Sequence, residues 1–118
     1  MCGVDEAFGA LADERRRLVL FCLRRHRSVS LADLAELVVE AESGRDLADV
    51  PDEQVRDVYM SLYHTHVPRL VEAGLARYDQ ESDLAASRED GVETLERLAD
   101  ELDALLDPLA EDIEPGED

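Results

Sequence analysis

Lysine is absent from this 118-residue chain: all 12 basic residues are arginine, set against 30 acids for a net charge of −18. Tryptophan is absent as well and aromatics are only 4% of residues, so a core must be built from Leu, Val and Ala. No apolar run approaches the roughly 18 residues that a spanning helix needs, so no membrane association is expected. The first residues, Met1-Cys2-Gly3-Val4-Asp5-Glu6, have neither the basic nor the apolar region of a secretory signal. Cys2 and Cys22 are too few and too scattered for a disulfide framework or a CxxC metal site. Cys22 lies in an apolar run and reads as a small buried hydrophobe. A Gly-rich phosphate loop, an H-E-x-x-H and a Ser or Cys nucleophile beside a His and an acid are all missing, so no enzyme, catalytic residue, cofactor or metal is expected.

What is present is repulsion. Charge on this scale keeps a protein soluble but opposes its compact state. At molar salt the Debye length falls to about 3 Å, which mutes that repulsion. An acid-rich surface without lysine therefore points to a soluble, cytoplasmic protein of a halophile. The charge is unevenly spread: residues 1–30 carry +2, 31–50 carry −5, 51–78 carry −1 and 79–118 carry −14. The first two-thirds could still face a polyanion.

Periodicity gives mostly helices. Asp13 is placed to cap a helix over 14–26 whose apolar stripe holds Leu18, Val19, Phe21, Cys22 and Leu23, with Phe8 and Leu11 in a short preceding turn or helix. Ser28-Val29-Ser30 breaks the pattern, and no strand is expected within 14–42. Ser30 and Asp33 resemble a capping box opening a second helix at 31–42, ended by Gly44. After a loop to Pro51, a third helix is expected over 52–73, with Val55, Val58, Tyr59, Leu62, His66 and Leu70 at 3–4 spacing and Pro68 expected to kink or restart it. Beyond Gly74 the period changes. Residues 75–87 read as a hairpin, weak because its second arm, Leu84-Ala85-Ala86-Ser87, is alanine-rich. A last helix over 90–107 carries Leu95, Leu98, Leu102 and Leu105 in a 3-4-3 seam, with Pro108 expected to break it. Residues 110–118 have the composition of a disordered acidic tail. The units expected are 1–87, a helix-turn-helix domain; 88–109, a C-terminal helix; and 110–118, the tail.

Three helices, a hairpin and a further helix form the element order of a winged helix-turn-helix, a mainly α (α+β) fold. Leu11-Ala12-Asp13-Glu14-Arg15-Arg16-Arg17-Leu18-Val19-Leu20 resembles the first-helix signature of the arsenical-resistance-repressor class of regulators. His66-Val67-Pro68-Arg69-Leu70-Val71-Glu72-Ala73-Gly74-Leu75-Ala76 resembles the end of that class's recognition helix, leading into the wing. With Tyr63-His64-Thr65-His66-Val67-Pro68, the composition is similar to small haloarchaeal winged-helix domains of unknown function. The resemblance covers about residues 8–87 and implies a dimeric DNA-binding transcription regulator. The metal-sensing cysteine pair of the repressor class is missing here.

On the outward face of the third helix, Arg56, Ser61, His64, Thr65 and Arg69 are the candidate DNA-contacting residues, with Arg77 at the base of the wing. Asp57 on that face would repel phosphate. His66 reads as a packed core histidine, and His64 and His66, two apart on a helix, point about 200° from one another and form no metal pair. Arg24, Arg25 and Arg27 either compensate a helix C-terminus or contact phosphate. Leu95, Leu98, Leu102 and Leu105 form a homodimer seam, or else pack on helix one of their own chain. The alternative to DNA binding is a protein–protein interaction module whose acidic surface meets another protein.

Overall fold

The structure, a computed structural model, describes residues 4–113, with side chains described over 5–105. It is mainly helical with one small antiparallel sheet. α1 (Val4–Ala10) leads to Asp13, whose carboxylate accepts the Arg15 and Arg16 backbone N–H groups and starts α2 (Glu14–His26). Ser30 caps α3 (Leu31–Ser43) by accepting from Asp33 N, and Gly44, at φ 70°, closes it by donating to the Glu40 carbonyl. Both helices fall where the capping residues put them.

The third helix is one helical path in three parts: α4 (Asp52–Ser61), a π turn (Leu62–His66) and α5 (Val67–Glu72). The π turn resolves the difficulty posed by Pro68. Its wider winding restarts the hydrogen-bond frame, so the missing proline donor falls in the first turn of α5, where no intrahelical partner is needed. The same turn shifts the helical phase. Val67 is buried, a position that the uninterrupted 3–4 stripe does not select, and His66 is only half-buried.

Gly74, at φ 78°, ends α5 in a Schellman arrangement: Leu75 N donates to Leu70 O at 2.9 Å and Gly74 N to Val71 O at 3.0 Å. Strands β2 (Ala76–Asp79) and β3 (Leu84–Ser87) then form the expected hairpin. Ser28–Ser30, expected only as a break, is a third strand, β1, antiparallel to β3 with Val29 opposite Ala85. Three residues are too few for alternation to reveal, but Val29 buries its side chain on the inner face while the flanking serines remain more open. The sheet order β1-β3-β2 makes the alanine-rich arm the central strand. Paired on both sides, β3 needs little β-propensity of its own, and the small side chain of Ala85, fully buried, lets α2 pack close.

α6 (Glu89–Ile113) continues past Pro108. The proline expected to break the helix is accommodated inside it; its missing N–H leaves the Ala104 carbonyl without an intrahelical donor on a helix segment free to hydrate. Residues 110–113 of the expected tail are therefore helical, and 114–118 lie outside the described residues. The helix is anchored at its start, where Arg88 N donates to Leu75 O at 2.9 Å, Val92 is buried and Leu95 packs on the core. Its far half projects, and the Cα radius of gyration of 17.3 Å exceeds the about 14 Å of a compact chain this long.

Candidate nucleic-acid interface

The third helix and the hairpin meet through all three tyrosines of the chain. Tyr59 and Tyr63, one turn apart, stack in parallel with centroids 6.4 Å apart, and Tyr78 of β2 meets Tyr63 edge-on at 6.2 Å. Asp83, at the hairpin turn with φ 56°, accepts from Tyr78 Oη at 2.5 Å and Tyr59 Oη at 3.4 Å, while its carbonyl accepts from Leu31 N at 3.0 Å. Gln80 Nε2 donates to Tyr63 Oη at 2.9 Å. Burial first, then the Asp83 bond and charge, push the Tyr78 phenol far above its ordinary value; burial and the Asp83 charge raise Tyr59 too. Both hydroxyls stay protonated and donating, so Asp83 ties the hairpin tip to α4 through its carboxylate and to α3 through its backbone carbonyl. The sequence carried a signal for this cluster in the i, i+4 spacing of Tyr59 and Tyr63 and in Tyr78 on the first arm of the hairpin.

Two arginines of α2 fix the third helix from below. Arg15 reaches Glu42 of α3 through two hydrogen bonds, at 2.6 and 2.7 Å, and gives a third to Ser61 Oγ at 3.1 Å. Arg16, buried, donates from Nε to Ala10 O at 2.6 Å and from Nη1 to His66 Nδ1 at 3.2 Å. A guanidinium has only donors, so His66 Nδ1 is the acceptor and the imidazole is neutral, its proton on Nε2. Burial, with the nearby Arg16 and Arg15 charges, holds the His66 pKa below its usual value, against the opposing pull of Asp13 and Glu42. Burial also raises the Cys22 thiol, which is a buried hydrophobe as expected.

The six candidate DNA contacts do not share one surface. Arg56, His64 and Thr65 are exposed on the third helix, with Met60 between them, and the His64 ring stands edge-on to Tyr63 at 5.0 Å. Arg56 also borders a shallow cleft of about 370 Å³ between α3 and α4, with Ala35, Leu47 and Tyr59. Ser61 turns inward, donating to Val58 O at 2.8 Å while accepting from Arg15. Arg69 lies beside α1, near Asp5 and Glu6. Arg77 alternates with Tyr78 along β2 and so faces the opposite side of the sheet, where it meets Arg24, Arg25 and Arg27. In the last helix, Leu95 and Leu98 are half-buried, whereas Leu102 and Leu105 are 50% and 73% exposed. Part of the seam thus packs on its own chain and part is open.

No curated protein and no solved structure matches the chain. Residues 8–86, from the second half of α1 to the end of the sheet, match a family described as "Domain of unknown function (DUF7344)". That match takes in more than half of the sequence and leaves α6 outside it. The chain belongs to the DUF7344 family.

Proposed function

We propose that this protein is a winged helix-turn-helix regulator of transcription that binds duplex DNA in the cytoplasm of a halophile. One observation carries the reading: α3 and the third helix pack together beside a β1-β3-β2 sheet, and the Tyr59–Tyr63–Tyr78–Asp83 cluster ties the hairpin to that helix. Helix and wing are thereby held as one unit, as a reader of groove and flanking backbone requires. Arg56, His64 and Thr65 are the contacts to base edges and phosphates. Ser61 is the support that orients the helix, and Arg69 and Arg77 stand apart from this surface.

Dimerisation belongs to the same reading. Leu102 and Leu105 expose apolar area that a second α6 would cover, and a twofold pair would place two third helices on a twofold site. The second reading, a module that binds another protein and not DNA, draws support from the dense acids of α6 and from Asp57 on the reading face.

Selection from a random duplex library at molar KCl, followed by sequencing, tests the proposal. Enrichment of a twofold-symmetric site, lost in the Arg56→Ala, His64→Ala, Thr65→Ala triple variant, supports it. A retained pool without sequence preference, or one unchanged by the variant, overturns it.

A further inference from the structure

A groove of about 980 Å³ runs between the C-terminal end of α2, the outer face of the sheet and the root of α6. In a chain of net charge −18 it gathers Arg24, Arg25, Arg27 and Arg77, a third of all the cations. Arg24 is engaged with Glu89 at 3.5 Å and Glu96 at 3.2 Å, and Glu89 is the acid that borders the groove. Among the described residues, Arg25, Arg27 and Arg77 form no ion pair. The groove therefore keeps three exposed guanidiniums without an ion-pair partner close together on one surface.

Two further features narrow the ligand. Phe21 is 60% exposed at the groove, and Arg24 and Arg25 follow it at three and four residues, on the same helical face. The floor is flat and small: Ser28, Ala86 and Arg77 lie in one row across the three strands. Arg27, at φ 66°, is the C-cap of α2, where the chain turns sharply from the helix into β1. A row of cations tracking a backbone, with an open aromatic face beside them, is the chemistry of single-stranded nucleic-acid binding. Duplex DNA keeps its bases stacked inside and cannot offer one to Phe21. An acidic peptide would satisfy the arginines but offers a flat ring only where its sequence has an aromatic residue, whereas every nucleotide brings a flat base along with its phosphate.

We propose that this groove binds a single-stranded nucleic acid, with Arg25, Arg27 and Arg77 on successive phosphates and a base stacked on Phe21. The site lies on the side of the sheet away from Tyr78 and the third helix, and it does not depend on duplex recognition by that helix.

Fluorescence anisotropy with labelled single-stranded RNA and DNA dodecamers of mixed sequence tests this, in a KCl series kept within the range where circular dichroism shows full helicity. Single strands release about 0.7 counterion per phosphate contact, so three contacts give a slope of log affinity on log salt near −2. Arg25→Ala and Arg77→Ala should each reduce that slope by about 0.7, and Phe21→Ala should cost about tenfold in affinity with the slope unchanged. The RNA and DNA arms tell which strand is preferred; binding in either supports the site. All three side chains are exposed, so melting temperatures should match wild type. Absence of binding to both strands overturns the proposal. So does equal competition by a poly-glutamate peptide, or affinity that is lost on Arg56→Ala and retained in the groove variants.

Discussion

Replacing Gly91 by Ala should destabilise this protein, although the same change in an exposed helix would favour folding by about 1 kcal/mol. Gly91 is buried in the first turn of α6, where the helix crosses the chain reversal after α5. A Cβ built there overlaps the Gly74 carbonyl oxygen and stands 2.9 Å from its carbon and 3.6 Å from Leu75 Cα. Both nearest neighbours are backbone held by the Schellman turn, so the helix must retreat. Retreat strains the Arg88 N to Leu75 O bond, worth about 0.5–1.5 kcal/mol net, and opens part of the Val92 burial, worth about 1.5–3 kcal/mol when complete. Set against the helix-propensity gain, a loss of about 1–3 kcal/mol remains, a fall in melting temperature of about 5–15 °C for a domain of this size. Thermal melts followed by circular dichroism, both proteins at the same molar KCl, measure it. A Gly91→Ala protein melting at or above wild type would refute the close docking of α6 on Gly74.

Because His66 is neutral when folded, its pKa depressed below the free value of about 6.5, the unfolded chain binds more protons, and the stability this group supplies is present above that value and lost as pH falls below it. Melts from about pH 8 to pH 5.5 should show this loss in wild type and a smaller one in His66→Gln, whose amide oxygen can still accept from Arg16; equal slopes count against the Arg16–His66 bond. Asp13 does not confuse the measurement: burial tends to raise its carboxyl, but the Arg16 and Arg15 backbone N–H bonds outweigh that and hold it below 3.8, so its contribution is lost only at lower pH. Lowering KCl from molar to about 0.1 M lengthens the Debye length from about 3 to 10 Å and should unfold the chain or lower its melting temperature; an unchanged melt across that series contradicts the account of the −18 charge. Light scattering at molar KCl should give a dimer for wild type and a folded monomer for Leu102→Asp with Leu105→Asp; a wild-type mass near 13.2 kDa ends the dimer reading.

How much of this was legible in the sequence depended on the reach of each signal. Capping residues act over three or four positions, so Asp13, Ser30, Gly44 and Gly74 fixed helix ends that the structure keeps. The strand at Ser28–Ser30 was not readable, since the strand it pairs with lies more than 50 residues away and three residues show no period. Pro68 announced a disturbance but not its form; the π turn is a choice of winding that a sequence pattern built on 3.6 residues cannot express. Pro108 gave a helix end that the structure does not have, because a missing donor on an exposed helix is tolerated where water can serve the carbonyl. For the site, residue type selected Arg56, His64 and Thr65 as exposed polar groups, and the structure leaves them exposed. Where the other candidates lie was not readable: Ser61 is bonded by Arg15 from 46 residues away, Arg69 borders α1, and strand alternation turns Arg77 to the side of the sheet opposite Tyr78.

Affinity for a duplex bearing the selected site tests the central claim most directly, measured at about 1 M KCl on wild type, the Arg56→Ala, His64→Ala, Thr65→Ala variant and the Arg25→Ala, Arg77→Ala variant. At a Debye length of about 3 Å, phosphate attraction is largely screened and base-edge contact dominates. The third-helix variant should lose at least about tenfold in affinity while the groove variant stays within about twofold of wild type, since each base-edge contact is worth about 1–3 kcal/mol. Equal affinity in all three proteins, or loss in the groove variant alone, would contradict that claim.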